Sequence, residues 1–456
     1  MFENIPDPLR TSLPATEKHN HKTNLLDRWT EPGAWWEERI QHKMDPYQKY
    51  STSRVGSFIE GAHRDGSTFA GHNFASQDYL SLASHPTLMK AAKDAIDTYG
   101  LHSAGSAALM GNTKLSVELE RRLASFLGYE DAVLFPIGWA AGYGAVKTLV
   151  GPTDHVVIDI LAHACTQEAA RDATPNVHLH SHLNLKAVEN RLARIRRDDP
   201  AGGILVVTET LFSMDSDVPD LAAMQEICRK YDATLLVDCA HDLGSHGKTG
   251  RGILEDQDMV GKVDILVGAF SKSFASMGGF VATNNKGFRF ALRGQCGPST
   301  FTNAMSPIQA AVVLAALDLV ESEEGRERRE KLMHNSIRLR TGLEEAGFEV
   351  LGKPSAVVPM LIGDVLLARL MTRYAVEMGG IVNLVEHPAV ARNACRWRLQ
   401  VMADHSDAQI DAMIEIAAKA REMAEMHCEW LSANDNSEKV RRFMPANEKS
   451  ATIAAE

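Results

Sequence analysis

The chain is poor in cysteine, has no excess of positive charge and contains no long apolar run. Its six cysteines, Cys165, Cys228, Cys239, Cys296, Cys395 and Cys428, are scattered over 456 residues. None forms a C-x-x-C pair or clusters with histidine, which argues against a zinc ribbon, a thioredoxin-like centre and a secreted disulfide scaffold. They read as reduced core residues of a cytoplasmic protein, with no metal centre among them. A formal charge of −11, from 48 Lys and Arg against 59 Asp and Glu, has the wrong sign for neutralising a phosphate backbone or an anionic bilayer. Nucleic acid and membrane are therefore set aside as partners. No stretch approaches the ~18 apolar residues that a membrane span requires, and the first residues lack the basic-then-apolar order of a signal peptide. No internal repeat is visible. What the chain does have is apolar residues, 45% of the total, enough to bury a large core in a folded globular protein.

Three regimes follow one another, then a tail. Residues 1–70 are polar and turn-rich apart from the aromatic and basic patch "WTEPGAWWEERIQHKMDPYQKY". That patch reads either as a helix lying against something larger or as a tethered N-terminal arm. Residues 71–303 alternate short apolar runs with helical stretches. The runs "DAVLF" (131–135), "HVVID" (155–159), "GILVVTE" (203–209), "ATLLVD" (233–238) and "DILVGAF" (264–270) are continuously apolar, as in parallel strands covered on both faces. Between them, "KLSVELERRLASFLG" and "DLAAMQEICRKY" carry apolar residues three and four apart, as amphipathic helices do. This is an α/β layout. Residues 304–430 begin with one long helical stretch, from "AMSPIQAAVV" to "RTGLEEAG". Short strands follow, then a final helix with Ile410, Met413, Ile414 and Ala417 on one face: a smaller α+β domain. Within it, "ESEEGRERREK" reads as a solvated helix face. Residues 431–456 form a polar tail expected to be mobile.

In an open parallel sheet, ligands sit outside the carboxyl ends of the strands, so the residues after each strand carry the chemistry. "DAVLF" is followed by "PIGWAAGYGAV", a glycine-bearing turn opening a helix whose free N–H groups suit a phosphate. "HVVID" leads to His163, "GILVVTE" to Ser213 and Asp215, "ATLLVD" ends on Asp238 with His241 three residues on, and "DILVGAF" leads to Lys272 in "SKS". Taken singly each has a bland reading: a turn glycine, a structural histidine, a capping hydroxyl, a surface lysine. Together they are far rarer. A lysine in an uncharged setting becomes a neutral amine able to form a Schiff base with an aldehyde. An aspartate at a buried strand end requires a cation, and a protonated pyridine nitrogen is one. Pyridoxal 5′-phosphate supplies aldehyde, pyridinium and phosphate together.

From "NFASQDYLSLASHP" through "VDCAHDLGSHGKTGRG" and "FSKSFASMGGF" to "RWRLQVMADHSDAQID", the chain resembles the α-oxoamine synthases, over roughly residues 70–425. The resemblance implies a pyridoxal-phosphate-dependent transferase of fold type I: a large domain with a mostly parallel seven-stranded sheet, a smaller C-terminal α+β domain, and a cytoplasmic homodimer with shared active sites. Lys272 matches the family's Schiff-base lysine, Asp238 the partner of the pyridinium, and His241 the histidine at the cofactor's phenolic oxygen, with Ser213 held nearby. His163 matches the imidazole stacked on the ring. Gly138 and Trp139 fall at the phosphate turn, and Thr302 where a second copy of the chain contributes a phosphate contact. Arg398 aligns with the arginine that clamps the amino-acid carboxylate, and Gln77 and Tyr79 border the substrate.

Departures from the family pattern fall around the pocket. Ala269 stands where many relatives have threonine, leaving Ser271 as the candidate phosphate hydroxyl of that turn. Ala107 stands where many have arginine, His102 where small residues are usual, and Gln77 in place of asparagine. The implied reaction is a decarboxylating condensation of a small amino acid (serine, alanine or glycine) with an acyl thioester carried by coenzyme A or a carrier protein, giving an α-aminoketone. Features shared with serine palmitoyltransferase, which would place the chain in sphingolipid biosynthesis, and with the aminoketone autoinducer synthases leave the substrate open. The alternatives are another fold-type I activity, such as transamination or aldol cleavage of a β-hydroxy amino acid, and a non-catalytic partner subunit.

Overall fold

The computed structural model of the chain describes residues 2–11, 23–44, 47 and 49–434. Of the expected mobile tail, 431–434 complete the last helix and the remainder lies outside the described residues.

The largest sheet has seven strands: Asp131–Phe135 (β1), His155–Asp159 (β2), Val177–His180 (β3), Ile204–Glu209 (β4), Thr234–Asp238 (β5), Ile265–Ala269 (β6) and Gly279–Thr283 (β7). Their order is β1-β7-β6-β5-β4-β2-β3. Only β7 runs antiparallel to its neighbours; β6, β5, β4, β2 and β3 pair in parallel. Successive side chains of a strand point to opposite faces, so each strand feeds two cores. Val157, Val206, Leu235, Val237 and Leu266 pack on one side with the helices Lys114–Leu127, Leu221–Lys230 and Pro307–Val320. Val156, Ile158, Leu205, Val207, Leu236 and Val267 pack on the other with the helices Gly138–Leu149 and Ala164–Ala173. Burial on both faces explains the unbroken apolar runs.

The five strands expected from those runs are present. β3 and β7 are additions: "VHLH" is too short and polar to stand out, and "GFVAT" begins on a glycine pair that reads as a turn. The stretch after 304 is two helices rather than one, Pro307–Val320 and Glu323–Glu345. Ser322 ends the first and caps the second by accepting the Gly325 N–H. A Cβ on Gly325 would lie 2.2 Å from the Leu319 carbonyl oxygen, so the corner is closed to any larger residue. The charged run on the second helix is not wholly solvated either. Arg329 is buried and donates to the carbonyls of Val320 and Lys248.

Two small sheets complete the fold. One, Glu349–Val350, Val357–Gly363, Cys395–Gln400 and Leu384–Val385, is antiparallel and carries Arg396 and Arg398. The other joins Tyr50–Ser51, Phe58–Ala62 and Thr68–Asn73 to Gly380–Ile381, so that Thr68–Asn73 runs across the expected boundary at 70/71. The aromatic patch forms the helix Thr30–Gln41, which lies against the C-terminal part of the chain through Arg39 and Glu386, 2.6 Å apart. On the last helix, Asp407–Asn434, Ile410, Met413 and Ala417 are buried and Ile414 is half-buried. The six cysteines are free, five of them buried. No described helix is long and apolar enough to cross a membrane.

Candidate active site

The carboxyl ends of the parallel strands share one edge of the sheet, and the connections leaving that edge build the site. After β1 the chain enters the helix Gly138–Leu149, whose N-cap, Ile137, gives no side-chain bond to the first turn. A Cβ on Gly138 would lie 2.5 Å from the Ala269 Cβ, and one on Gly279 would lie 2.6 Å from the Gly138 Cα. The helix start therefore sits directly on the ends of β6 and β7, and glycine is needed for that approach. Uncapped amides at the positive end of a helix, with the exposed Ser271 on the turn after β6, are a donor set for a phosphate. Ala269 supplies a methyl to this contact where a hydroxyl would add a donor.

His163 caps the helix Ala164–Ala173, its Nδ1 accepting the Cys165 N–H at 3.3 Å. Trp139 stands edge-on to its ring, centroids 5.8 Å apart. Partial desolvation lowers the His163 pKa although the residue is exposed at the surface, Asp238 opposes, and Lys272 and Arg398 add to the lowering. The ring is thus a neutral imidazole, suited to lie against a flat heterocycle.

Asp238 ends β5, and its Oδ1 accepts the Ala240 N–H at 2.9 Å. His241 is buried, with Nδ1 3.0 Å from the Tyr79 hydroxyl. Burial holds His241 well below the usual imidazole range, and Lys272, Arg398 and His163 push the same way. The turn beyond is built around Asp242, which is fully buried, accepts from the Thr210 hydroxyl and takes the Ile253 N–H at 2.6 Å. Gly252, at φ +73°, passes so close that a Cβ there would lie 2.2 Å from Asp242 Oδ2. Burial pushes the Tyr79 phenol upward, so it remains a hydrogen-bond donor.

Lys272 lies in the turn after β6, where the Ala275 N–H bonds its carbonyl at 3.1 Å. The half-buried amine makes no hydrogen bond or ion pair among the described residues. Burial draws its pKa down against the pull of Asp238 and Glu209, with Arg398 adding to the lowering. Arg398 is in a similar condition: its enclosed Nε has no partner, and Nη1 reaches only the Met214 sulfur at 3.9 Å. An amine and a guanidinium that sense each other, both without a carboxylate on them, make an anion-receiving pocket.

The electrostatic couplings bring Lys272, Asp238, His163, His241, Tyr79 and Arg398 into one site. Ser213, Gln77, Ser271 and Thr302 stay at its margin. Ser213 and Gln77 are half-buried without a side-chain bond, and Thr302 is exposed and donates to the Pro298 carbonyl at 2.6 Å. Glu209 escaped the sequence reading. It ends β4 directly opposite Asp238 and is buried. Burial, then Asp238, raises its carboxyl well above the usual range. A charged residue ending an otherwise apolar run, as in "GILVVTE", was the available signal. His405, in the stretch "RWRLQVMADHSDAQID", is a core residue stacked on Phe74 at 4.2 Å and bonded to the Asn73 carbonyl.

Residues 71–416 match the family described as aminotransferase class I and II. The 8-amino-7-oxononanoate synthase of Geobacter sulfurreducens is 35% identical over 76% of this chain and 87% of its own length. The 2-amino-3-ketobutyrate coenzyme A ligase of Escherichia coli K12 is 33% identical over 88% of this chain and 96% of its own. Among solved structures, Sphingomonas wittichii serine palmitoyltransferase superposes with a TM-score of 0.82 at 27% identity, covering 88% of this chain and 99% of that one.

Proposed function

Because the chain belongs to the α-oxoamine synthases, pyridoxal-5′-phosphate-dependent C-acyltransferases of fold type I, we propose that it condenses serine, alanine or glycine with an acyl thioester, releasing the thiol and carbon dioxide and leaving an α-aminoketone. The observation that carries this reading is the meeting of two basic side chains that no carboxylate pairs, the Lys272 amine and the Arg398 guanidinium, in a pocket flanked by Asp238 and two neutral histidines.

The donor set fits the cofactor. The amides opening the helix at Gly138 and Trp139, with Ser271, would hold its phosphate. Asp238 would face its ring nitrogen, His241 and Ser213 its phenolic oxygen, and His163 its ring face. When bound, the cofactor supplies an electron sink that acidifies the Cα–H of an amino acid. Arg398 fixes the substrate carboxylate by a two-point contact that an ammonium does not match. The Lys272 Nζ, its pKa drawn down by burial, accepts the Cα proton when unprotonated. His163 is placed to polarise the thioester carbonyl, and Gln77 and Tyr79 line the amino-acid side.

The same proposal includes a large domain of residues 71–303, a small domain of 304–430, a cytoplasmic location and a homodimer. Leu109, Met110 and Phe301 are 84%, 89% and 88% exposed, and their segments are tied together by the Ser106 hydroxyl on the Thr300 carbonyl at 2.7 Å. An apolar surface beside Thr302 supports a second copy of this chain as its cover. A matrix of the three amino acids against coenzyme A thioesters of increasing acyl length, read by thiol release and by the mass of the ketone, tests the reaction. Thiol release that depends on both substrates is expected. A 2-oxo acid or an aldehyde formed without thiol overturns it in favour of transamination or aldol cleavage.

A further inference from the structure

Outside the residues just discussed, one charged cluster links the strand before His163 to the strand bearing Arg398. Asp159, the last residue of β2, is buried and accepts the N–H groups of Leu161 and Leu183 at 2.9 and 3.0 Å. Its Oδ1 lies 2.8 Å from His182 Nδ1, while His182 Nε2 lies 2.8 Å from Asp217 Oδ2. With a carboxylate oxygen on each ring nitrogen, both nitrogens carry hydrogen and the ring is an imidazolium. Phe212 stands edge-on to it, centroids 4.5 Å apart.

Asp217 closes the segment 213–217, which is gripped from its other side by the C-terminal part of the chain. Arg396 Nη1 bonds the Asp215 carboxylate and lies 3.2 Å from the Met214 carbonyl oxygen. The Ser216 hydroxyl meets the Lys353 carbonyl and the Ser355 hydroxyl, both at 2.8 Å. Arg398, two residues beyond Arg396 and on the same face of its strand, touches the Met214 sulfur. His182, Asp215 and Asp217 have ligand atoms within 4.8 Å of one another, the spacing of a cation site. Both His182 nitrogens are already engaged and Arg396 sits on Asp215, so the positive charge at this point comes from the protein itself.

We propose that His182 is a positioning residue: held between Asp159 and Asp217, it sets the 213–217 segment, and through it the Arg396–Arg398 strand, at the height where Arg398 receives the amino-acid carboxylate. The proposal rests on the function inferred above. Its consequence falls most heavily on Arg398, because the strands that hold Lys272 and Asp238 do not pass through the brace, while Ser213, inside the braced segment, shifts with it.

The test uses the pyridoxal-phosphate-loaded protein and two variants, His182→Gln and Asp217→Asn. Serine, alanine and glycine are titrated against the cofactor absorbance without acyl donor, and KM is then measured for each substrate. His182→Gln is expected to weaken amino-acid binding by about 10- to 100-fold, the size of effect a displaced clamp produces, with the KM for the acyl thioester unchanged and the cofactor retained. Asp217→Asn, which keeps an oxygen acceptor but removes its charge, should move the same way by less. Unchanged amino-acid affinity in both variants overturns the brace, as does an equal loss for both substrates together with loss of cofactor. If His182→Gln does not fold, Asp217→Asn decides alone. Wild-type protein that responds to no amino acid overturns the proposed reaction and the brace with it, whereas a wild-type response matched by both variants overturns only the brace.

Discussion

Two clusters of buried charge in this molecule are finished differently. In the first, Glu386 lies between two guanidinium groups, Arg39 Nη1 at 2.6 Å and Arg369 Nε at 2.9 Å, all three residues nearly fully enclosed. Arg369 also donates to the carbonyls of Leu9 and Thr11, and both arginines lie over Trp35. Every element there belongs to the protein, and the cluster ties the N-terminal segment to the C-terminal sheet. In the second, Lys272 and Arg398 lie near Asp238 yet neither closes an ion pair. A closed set of charges holds structure in place, and an open set is held apart by structure until a ligand completes it.

Removing one charge from each cluster separates the two cases. Lys272→Ala should abolish the covalent trapping of cofactor by borohydride and lower turnover by roughly 10²- to 10⁴-fold, the range for loss of a positioned base, while the melting temperature holds or rises. Thiol release and calorimetry read the two sides. Undiminished condensation would remove Lys272 from the chemistry. Glu386→Gln should do the converse, leaving two buried guanidinium groups without a counter-charge and destabilising the fold by about 3–5 kcal/mol, with kcat preserved in the fraction that remains folded. Urea unfolding followed by tryptophan fluorescence measures it.

Smaller effects sharpen the contrast. Arg398→Lys keeps the charge but loses the planar fork, so the amino-acid KM should rise about 10-fold while the acyl-donor KM stays level. Steady-state kinetics with each substrate varied separately checks this. The last effect concerns pH. Folding raises His182 from 6.5 to about 10, through hydrogen bonds and charge from Asp159 and Asp217 that outweigh burial. A raised pKa means the folded state holds the proton longer. Its contribution is therefore complete below pH 6.5 and falls as pH climbs from there through about 10. Unfolding free energies at pH 6, 8 and 10 should show that fall in the wild type and a flatter profile in His182→Gln.

Much of this was legible before any coordinates. The five apolar runs name five of the seven strands because a strand covered on both faces has no polar side to show. Lys272, Asp238, His163 and His241 stand out because each follows or ends such a run, and strand ends in a parallel sheet share an edge. β7 stayed hidden because its glycines serve a close approach to Gly138 from a distant part of the chain, which local pattern does not encode. Glu209 stayed hidden because its meaning lies in the cross-strand register with Asp238. The helix break at Ser322 was present as a serine three residues before a glycine, yet the helical period on either side masked it.

By itself, the order of residues determined the layered α/β plan, the family resemblance and the lysine on which the proposed chemistry turns, since periodicity and strand-end position are local properties of a chain. Only the tertiary structure decided which charges are closed and which are open. Glu386 meets Arg39 across 347 positions of sequence, and Arg398 reaches the wall of the site from the far end of the chain. Partnership between buried ions depends on distance and enclosure in space, and neither is set until the layers have packed.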